Sequence, residues 1–193
     1  MSPRGVPITG VRERLFEAAE RVLAREGPAG LTSRAVTAEA DCAKGVLHSH
    51  FADLDDFVAQ LVLLRFEQLG HAAAALPARA GTGTVSANLT AAAALLLGSP
   101  GPALTALALT RPGASARIRA AWEQGAPGFG AFEGPLTAYL QAEQHLGRVP
   151  AARDCTALAL ALTGTTHHLL MTTWPTGPDP LARIEHLIST LTT

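Results

Sequence analysis

The sequence predicts an all-α fold. Apolar residues recur at helical spacing in successive segments, Gly and Pro separate these segments, and no stretch alternates polar and apolar residues as a half-buried strand does. With 193 residues, of which 48% are hydrophobic, the chain can bury a sizeable core. These observations favour one or two small helical domains.

The first predicted element is a helix at about residues 11–27, with the sequence VRERLFEAAERVLAREG. Residues 32–51 follow as two short helices joined by a tight turn at residues 40–42. Thr32 is placed to cap the first short helix by accepting a hydrogen bond from an amide of its first turn. Three helices in this order are typical of a helix-turn-helix domain, which reads DNA.

The second short helix is predicted to begin at about Ala43 and to lie in the major groove of DNA. Leu47 and Phe51 share its buried side, because they are four residues apart. The face expected to meet the bases carries Lys44, the only lysine of the chain, with Gly45, Val46, His48 and Ser49. The preceding helix is expected to hold a phosphate or the groove edge through Arg34 and Thr32 or Ser33.

Charge neither supports nor excludes this function. The chain has 15 basic and 16 acidic residues, whereas a DNA-binding domain is often strongly basic. The acidic side chains lie mainly on the first helix and after Phe51, while Arg34 and Lys44 belong to the predicted DNA side. A flexible arm at residues 1–10 adds Arg4, and Arg12 is also expected to reach a groove or a phosphate.

Helices continue after Phe51. Asp53 is expected to cap a helix that begins near Leu54 and ends near Pro77. Further helices are predicted at about 85–97, 103–109, 135–146 and 151–174, with another starting at Ser115. Asp179 followed by Pro180 opens a last amphipathic helix.

The first third of the chain resembles the N-terminal domain of TetR-family transcriptional regulators. The matching residues, spread over roughly 11–66, are Ala18-Ala19, Leu23, Glu26-Gly27, Leu31-Thr32, Arg34, Ala40, Lys44-Gly45, Leu47, His50-Phe51 and Asp53. The resemblance implies a homodimer that binds double-stranded operator DNA and is released by a small-molecule effector, as a repressor is. It divides the chain into the arm, a DNA-binding domain at 11–56 and a ligand-binding and dimerisation domain at 57–193.

The chain departs from the family pattern at three places. Asp41-Cys42-Ala43 stands where members usually have Gly-Val-Ser, so the hydroxyl that caps the recognition helix is missing, and Asp41 is the candidate substitute. His48 replaces a common phosphate-contacting Tyr, and Leu54 a common Lys. We therefore expect either modest DNA affinity or an unusual operator.

The last two helices are expected to form the dimer. Ala157, Ala161 and Gly164 repeat small side chains at helical spacing in a helix that is apolar on nearly every side. Such a helix must be buried on every side, by its own domain and by a second copy, or by the core of a monomer. We favour the dimer, since twofold dimers are common and read two half-sites.

An effector cavity is predicted in the body of the protein. Its candidate lining residues are the aromatic and polarizable side chains of that region, Phe66, Trp122, Phe129, Phe132, Tyr139, His167, Met171 and Trp174. Ligand pockets are mostly apolar with a few polar groups. Each of these residues taken singly is more often ordinary core.

Other chemistry has little support in the sequence. A small helical enzyme or binding protein using His167 or His168 is the alternative function, and no cofactor is expected. His48 and His50 are two residues apart and point to different faces of a helix, so we assign His48 to DNA contact and His50 to packing rather than to a metal. We expect a cytoplasmic protein without membrane contact, because no signal peptide or uninterrupted apolar span is evident.

Overall fold

A computed structural model describes residues 10–98, 101–172 and 177–192. All regular structure in these residues is helical, which confirms the predicted all-α class. The helices are α1 (Val11–Gly30), α2 (Ser33–Glu39), α3 (Val46–His50), α4 (Leu54–Ala74), α5 (Val85–Leu97), α6 (Gly101–Thr110), α7 (Pro112–Glu123), α8 (Gly130–His145), α9 (Cys155–Thr172) and α10 (Pro180–Thr192), with a 3-10 helix at Leu76–Arg79.

The N-terminal helices pack around a cluster of three aromatic rings. Phe16 of α1, Phe51 and Phe57 of α4 lie with ring centroids 4.9 to 5.5 Å apart, in edge and stacked contacts. Aromatic pairs of this kind add to the free energy gained from apolar burial alone. The same core continues through Leu104 and Leu107 of α6 into α7. The DNA-binding unit is therefore packed on the body and is not joined to it only by a linker.

The remaining helices form a second core. It is built mainly from α5, α8, α9 and α10, and its largest fully buried side chains include Tyr139, Phe132, Leu140 and Ile184. In the described part of the chain, no single helix is long and apolar enough to span a membrane; only the bent pair of α5 and α6 passes, on length and composition.

Several helices differ from their predicted bounds, among them α7, which begins at Pro112 and not at Ser115. The sequence predicts that α8 begins at Pro135, but it begins at Gly130 because Phe132, four residues before Leu136, is buried on the same side. Burial of this apolar face outweighs the weak helix propensity of the intervening Gly and Pro residues. The predicted start of α9 at Ala151 is also wrong, because the Asp154 carboxylate accepts hydrogen bonds from the next helical amides and sets the start at Cys155.

A buried polar network ties α8 to the segment before α5. The Glu143 carboxylate is fully buried, accepts a hydrogen bond from the Gly81 amide at 3.3 Å, and pairs with the Arg148 guanidinium. The Tyr139 hydroxyl lies 3.0 Å from the Asn88 side-chain amide, which donates to it. Burial, together with the adjacent Glu143 carboxylate, raises the pKa of Tyr139 to about 12.

The raised pKa of Tyr139 predicts a change in stability at alkaline pH. The unfolded tyrosine, with an ordinary pKa near 10, loses its proton before the folded one does. The network's contribution is thus complete below pH ~10 and is lost as pH rises toward the folded pKa of about 12. Tyr139 is the only tyrosine, so the near-ultraviolet absorbance of tyrosinate reports it directly.

We expect the folded chain to form tyrosinate only at pH values well above those needed in denaturant. Circular dichroism recorded in parallel separates titration from unfolding, and Tyr139→Phe is the control for both signals. Tyrosinate appearing near pH ~10 while the helical signal is intact would show that the hydroxyl is not held as described.

Candidate functional site

The two short helices of the reading head, residues 11–56, lie where the sequence predicts them, but the second is shorter. Thr32 caps α2 by accepting a hydrogen bond from the Ala35 amide at 3.1 Å, as predicted. α3 begins at Val46 and not at Ala43, so Lys44 lies in the turn before the helix. Asp41 has a φ of 51°, in the left-handed region, and α3 has no side-chain cap. Asp41 therefore shapes the turn and does not replace the missing cap.

The predicted DNA-contacting residues form two short surface segments. Thr32 and Arg34 are exposed at the start of α2, with Ser33 half-buried between them. In the second segment Lys44, Gly45, His48 and Ser49 are exposed and Val46 is half-buried. Leu47 and Phe51 are buried beneath them, as predicted, and hold this segment on the head. His50 differs from its prediction, because it is exposed and not packed.

Most arginines of the head bind the protein itself. Arg12, expected to reach DNA, donates to the His50 carbonyl at 3.1 Å, and its guanidinium lies 4.5 Å from the centroid of the Phe51 ring. Arg14 donates to the Ala40 carbonyl at 2.7 Å and so fastens α1 to the turn. These contacts fix the orientation of α2 and α3, and they remove two cations from the set available to phosphates.

A further group of ion pairs fastens α1 to α2. Arg21 and Arg25 bind the two carboxylate oxygens of Glu39 at 2.8 and 3.0 Å. The hydrogen bonds from Arg21 and Arg25 hold the pKa of Glu39 below its ordinary value. Among the described arginines and lysines of the head, only Arg34 and Lys44 neither pair with a carboxylate nor donate to another oxygen of the protein. They are also the two that the sequence assigns to the DNA side.

The first turn of α4 joins the reading head to α7. The Asp53 carboxylate caps α4 by accepting from the Asp56 amide at 2.7 Å, as predicted, and it pairs with Arg117 at 2.8 Å. The Asp55 carboxylate pairs with Arg111 at 2.6 Å. It also lies so close to Gly113 that a Cβ atom at that position would collide with it. The start of α7 is thus fitted closely onto the start of α4.

A cavity of about 260 Å³ lies between α4, α6, α7 and α9. Its wall is mostly apolar, and one side is a continuous run of rings. Phe66 makes edge contacts with Trp122 and Phe129, at centroid distances of 5.6 and 5.0 Å, and the His167 ring lies 4.4 Å from Phe129. The cavity is slightly smaller than the usual range for ligand pockets, which indicates a small ligand.

The structure brings five of the eight predicted lining residues to this cavity: Phe66, Trp122, Phe129, His167 and Met171. Phe132 and Tyr139 do not line it, because they lie on the inward face of α8 and are buried in the second core. Trp174 lies outside the described residues. Arg65 and Arg119 also line the cavity and were missed. The spacing of Val62, Arg65, Phe66 and Leu69 on one helical face is the signal that would have found Arg65.

The two adjacent histidines diverge, as predicted. His167 faces the cavity, whereas His168 is exposed on α9. Within the described ranges no group of His, Cys, Asp or Glu side chains is placed to hold a metal ion. The two cysteines are free thiols, Cys42 half-buried in the turn of the reading head and Cys155 buried at the start of α9.

A helix-turn-helix head packed on a helical body with an internal cavity defines the class of DNA-binding regulators with a ligand-sized chamber. The sequence profile of the bacterial regulatory proteins of the tetR family matches residues 15–61. The N-terminal part of the chain thus has the sequence pattern of this family's N-terminal domain. Among the curated proteins, none matches this sequence.

Solved structures of regulators share the fold over nearly the whole chain. A protein from Mesorhizobium loti described as a TetR-family transcriptional regulator is 16% identical, with a TM-score of 0.70, covering 97% of this chain and 96% of that one. FadR from Bacillus subtilis, in complex with stearoyl-CoA, is 17% identical, with a TM-score of 0.63 and coverages of 94% and 97%. The multidrug binding protein EbrR, complexed with ethidium, is 24% identical, with a TM-score of 0.62 and coverages of 95% and 99%.

Some basic side chains of the head are bound within the protein and others are not, and this difference predicts how single substitutions change DNA binding. Lys44→Ala removes an unpaired cation from the reading surface, so it should weaken operator binding by roughly 1–3 kcal/mol if the ammonium reads a base. It should also lower the slope of log affinity against log salt by about one if the ammonium contacts a phosphate. Fluorescence anisotropy over a salt series measures both.

Arg21→Ala is the matched control, because it removes the same charge from a side chain paired with Glu39. It should leave the salt slope unchanged while the head stays folded. If wild type and Lys44→Ala had the same operator affinity and the same slope of log affinity against log salt, Lys44 would not contact the DNA.

Proposed function

We propose that this chain is a ligand-responsive repressor whose operator affinity falls when a small molecule occupies the cavity. One observation carries the proposal. Both α4 and α7 line the cavity, and the same two helices meet at the Asp53 and Asp55 ion pairs beside the reading head. A ligand that separates α4 from α7 would therefore act directly on the orientation of α2 and α3.

The cavity and the reading head are connected through short stretches of helix. In α7, Ile118 and Trp122 face the cavity, while Arg111 and Arg117 reach the first turn of α4. A ligand that binds better when α7 has shifted selects that arrangement, and the head then moves with it. This is a population shift whose size equals the difference in ligand affinity between the two states.

The structural relatives support the binding of a small molecule by this fold. One was solved with stearoyl-CoA and another with ethidium, so this fold accommodates small molecules of opposite charge. For this chain we assign the cavity wall, including Phe66, Trp122, Phe129, His167 and Met171, to effector binding. The eight surface residues of α2 and the α3 segment are assigned to the operator.

We assign dimerisation to α9 and α10. One face of α9 is exposed in the single chain and consists of Ala157, Leu160, Ala161, Gly164 and His168. Leu160 is 57% exposed and lies among small side chains, so this face is largely apolar and uncovered in the single chain. A second copy would cover this face, and two heads would then read two half-sites of one operator.

The proposed link between cavity and operator can be tested without knowing the ligand. Thr105→Trp places a large side chain at the cavity wall and should mimic occupancy. We expect operator binding to weaken by ~5- to 150-fold, the usual range for coupling between sites. The measurement is a gel shift with the DNA upstream of the chain's own coding sequence, with thermal unfolding recorded alongside.

Thr110→Trp is the matched control, since Thr110 is exposed on the same helix and does not line the cavity. It should bind the operator as wild type does. A folded Thr105→Trp protein with unchanged operator affinity would contradict the coupling, and a wild-type chain that fails to select its upstream DNA would contradict repression itself.

Dimerisation is tested by introducing a charged side chain on the exposed face of α9. Ala161→Arg should split the dimer without unfolding either head, because Ala161 is exposed on α9 and far from the reading head's core. Operator affinity should fall sharply, since two linked heads gain from effective concentration. Light scattering gives the mass. Ala72→Arg, at an exposed position of α4, is the control and should remain dimeric; a dimeric Ala161→Arg protein would place the interface elsewhere.

A further inference from the structure

The charged side chains of the cavity all have the same sign. Arg65 and Arg119 line it together with His167, and no Asp or Glu is among the lining residues. The rest of the wall is apolar or aromatic, apart from Thr105 and Ser115, and Ser115 already donates its hydroxyl proton to the Ala108 carbonyl. Charge therefore favours an anion and disfavours a cation in this space.

Arg65 lacks the partners that most other arginines have. Its Nε atom is buried and has no hydrogen-bond acceptor, and among the described residues Arg65 forms no ion pair. By contrast, Arg111, Arg117 and Arg148 are each bound to a carboxylate. An unsatisfied buried donor on a charged group is costly. An acceptor supplied by a ligand would remove that cost.

Arg119 lies at the open end of the same cavity. It is exposed, it lines the cavity beside Ile118, and it also borders the shallow groove formed by α7 and the end of α6. Among the described residues it forms no ion pair. A ligand entering from this side would meet one guanidinium at the entrance and a second inside.

We propose that the effector is a small carboxylic acid whose carboxylate binds Arg65 and Arg119 and whose apolar body packs against the rings of Phe66, Trp122 and Phe129. Two guanidinium groups suit a carboxylate, which has two oxygens and one charge. The cavity of about 260 Å³ suits a body the size of a fused aromatic ring or a medium-length chain, and it is too small to enclose a coenzyme A ester. This assignment rests on the proposed function of the cavity as the effector site.

Two series of probes separate the charge of the head group from the shape of the body. Naphthoate, naphthamide and naphthylmethylamine share one body, and octanoate, octanamide and octylamine share another. Calorimetry with the full chain should give the tightest binding for the acid, by about tenfold or more over the amide, in at least one series. Equal or tighter binding of the amide or the amine, or no binding of either acid at millimolar concentration, would overturn the proposal.

Substitutions test whether Arg65 and Arg119 bind the carboxylate of the ligand. Arg65→Gln and Arg119→Gln should each reduce the preference for the acid over its amide by about tenfold while leaving the binding of the amide nearly unchanged. Arg79→Gln, on the exposed 3-10 helix away from the cavity, should keep the full preference. A full preference in both cavity variants would overturn the assignment.

Operator binding is measured separately from ligand binding, so that the two proposals can fail independently. If the acid binds with the expected preference but the operator is not released, the effector class stands and the proposed regulation fails. If Thr105→Trp weakens operator binding while the amine proves the better ligand, the regulation stands and the carboxylic acid is wrong.

Discussion

The first turn of α4 is the junction on which the arrangement of the molecule depends. Asp53 lies between α3 and α4. Its carboxylate caps α4 and pairs with Arg117 of α7, so one side chain connects three elements. The hydrogen bond from the Asp56 amide, helped by Arg117, lowers the pKa of Asp53. The carboxylate is thus held in its charged form, and its contribution to stability is present above its ordinary pKa and is lost as pH falls through the lowered value.

The junction combines exposed ion pairs with apolar packing. The head is held by the rings of Phe16, Phe51 and Phe57, in one stacked and two edge contacts, and Ala114 and Ile118 of α7 belong to the same core. The Asp53–Arg117 pair joins two side chains that are each about half exposed, and ion pairs that water reaches contribute little to stability. Because α7 also packs on the head's core, a shift of α7 would carry the head with it as a unit.

The sequence predicts those features of the protein that depend only on residues close to one another in the chain. Thr32 and Asp53 mark helix starts through their side chains, and both caps are present where expected. The start of α3 and the lining of the cavity depend on less local features. Ala43 offers no cap, so α3 begins only at Val46. The inward turn of Tyr139 goes with its complete burial and with the hydrogen bond that Asn88 of α5 donates to it across the core. Arg65 was missed because an arginine taken singly looks like a surface side chain, although it shares a helical face with Val62, Phe66 and Leu69.

The distribution of arginines has a consequence for DNA binding. A head whose arginines mostly serve internal contacts keeps its shape well but offers few cations to phosphates, and phosphate contacts supply much of the affinity of such proteins. In the proposed dimer, the use of two heads at once would supply the missing affinity. Binding through two weak heads is sensitive to their spacing, because a small change in distance forfeits one whole set of contacts. In the proposed mechanism, a ligand that moves α7 by a small amount would then be sufficient to release the operator, whereas heads with stronger phosphate contacts would require a larger movement.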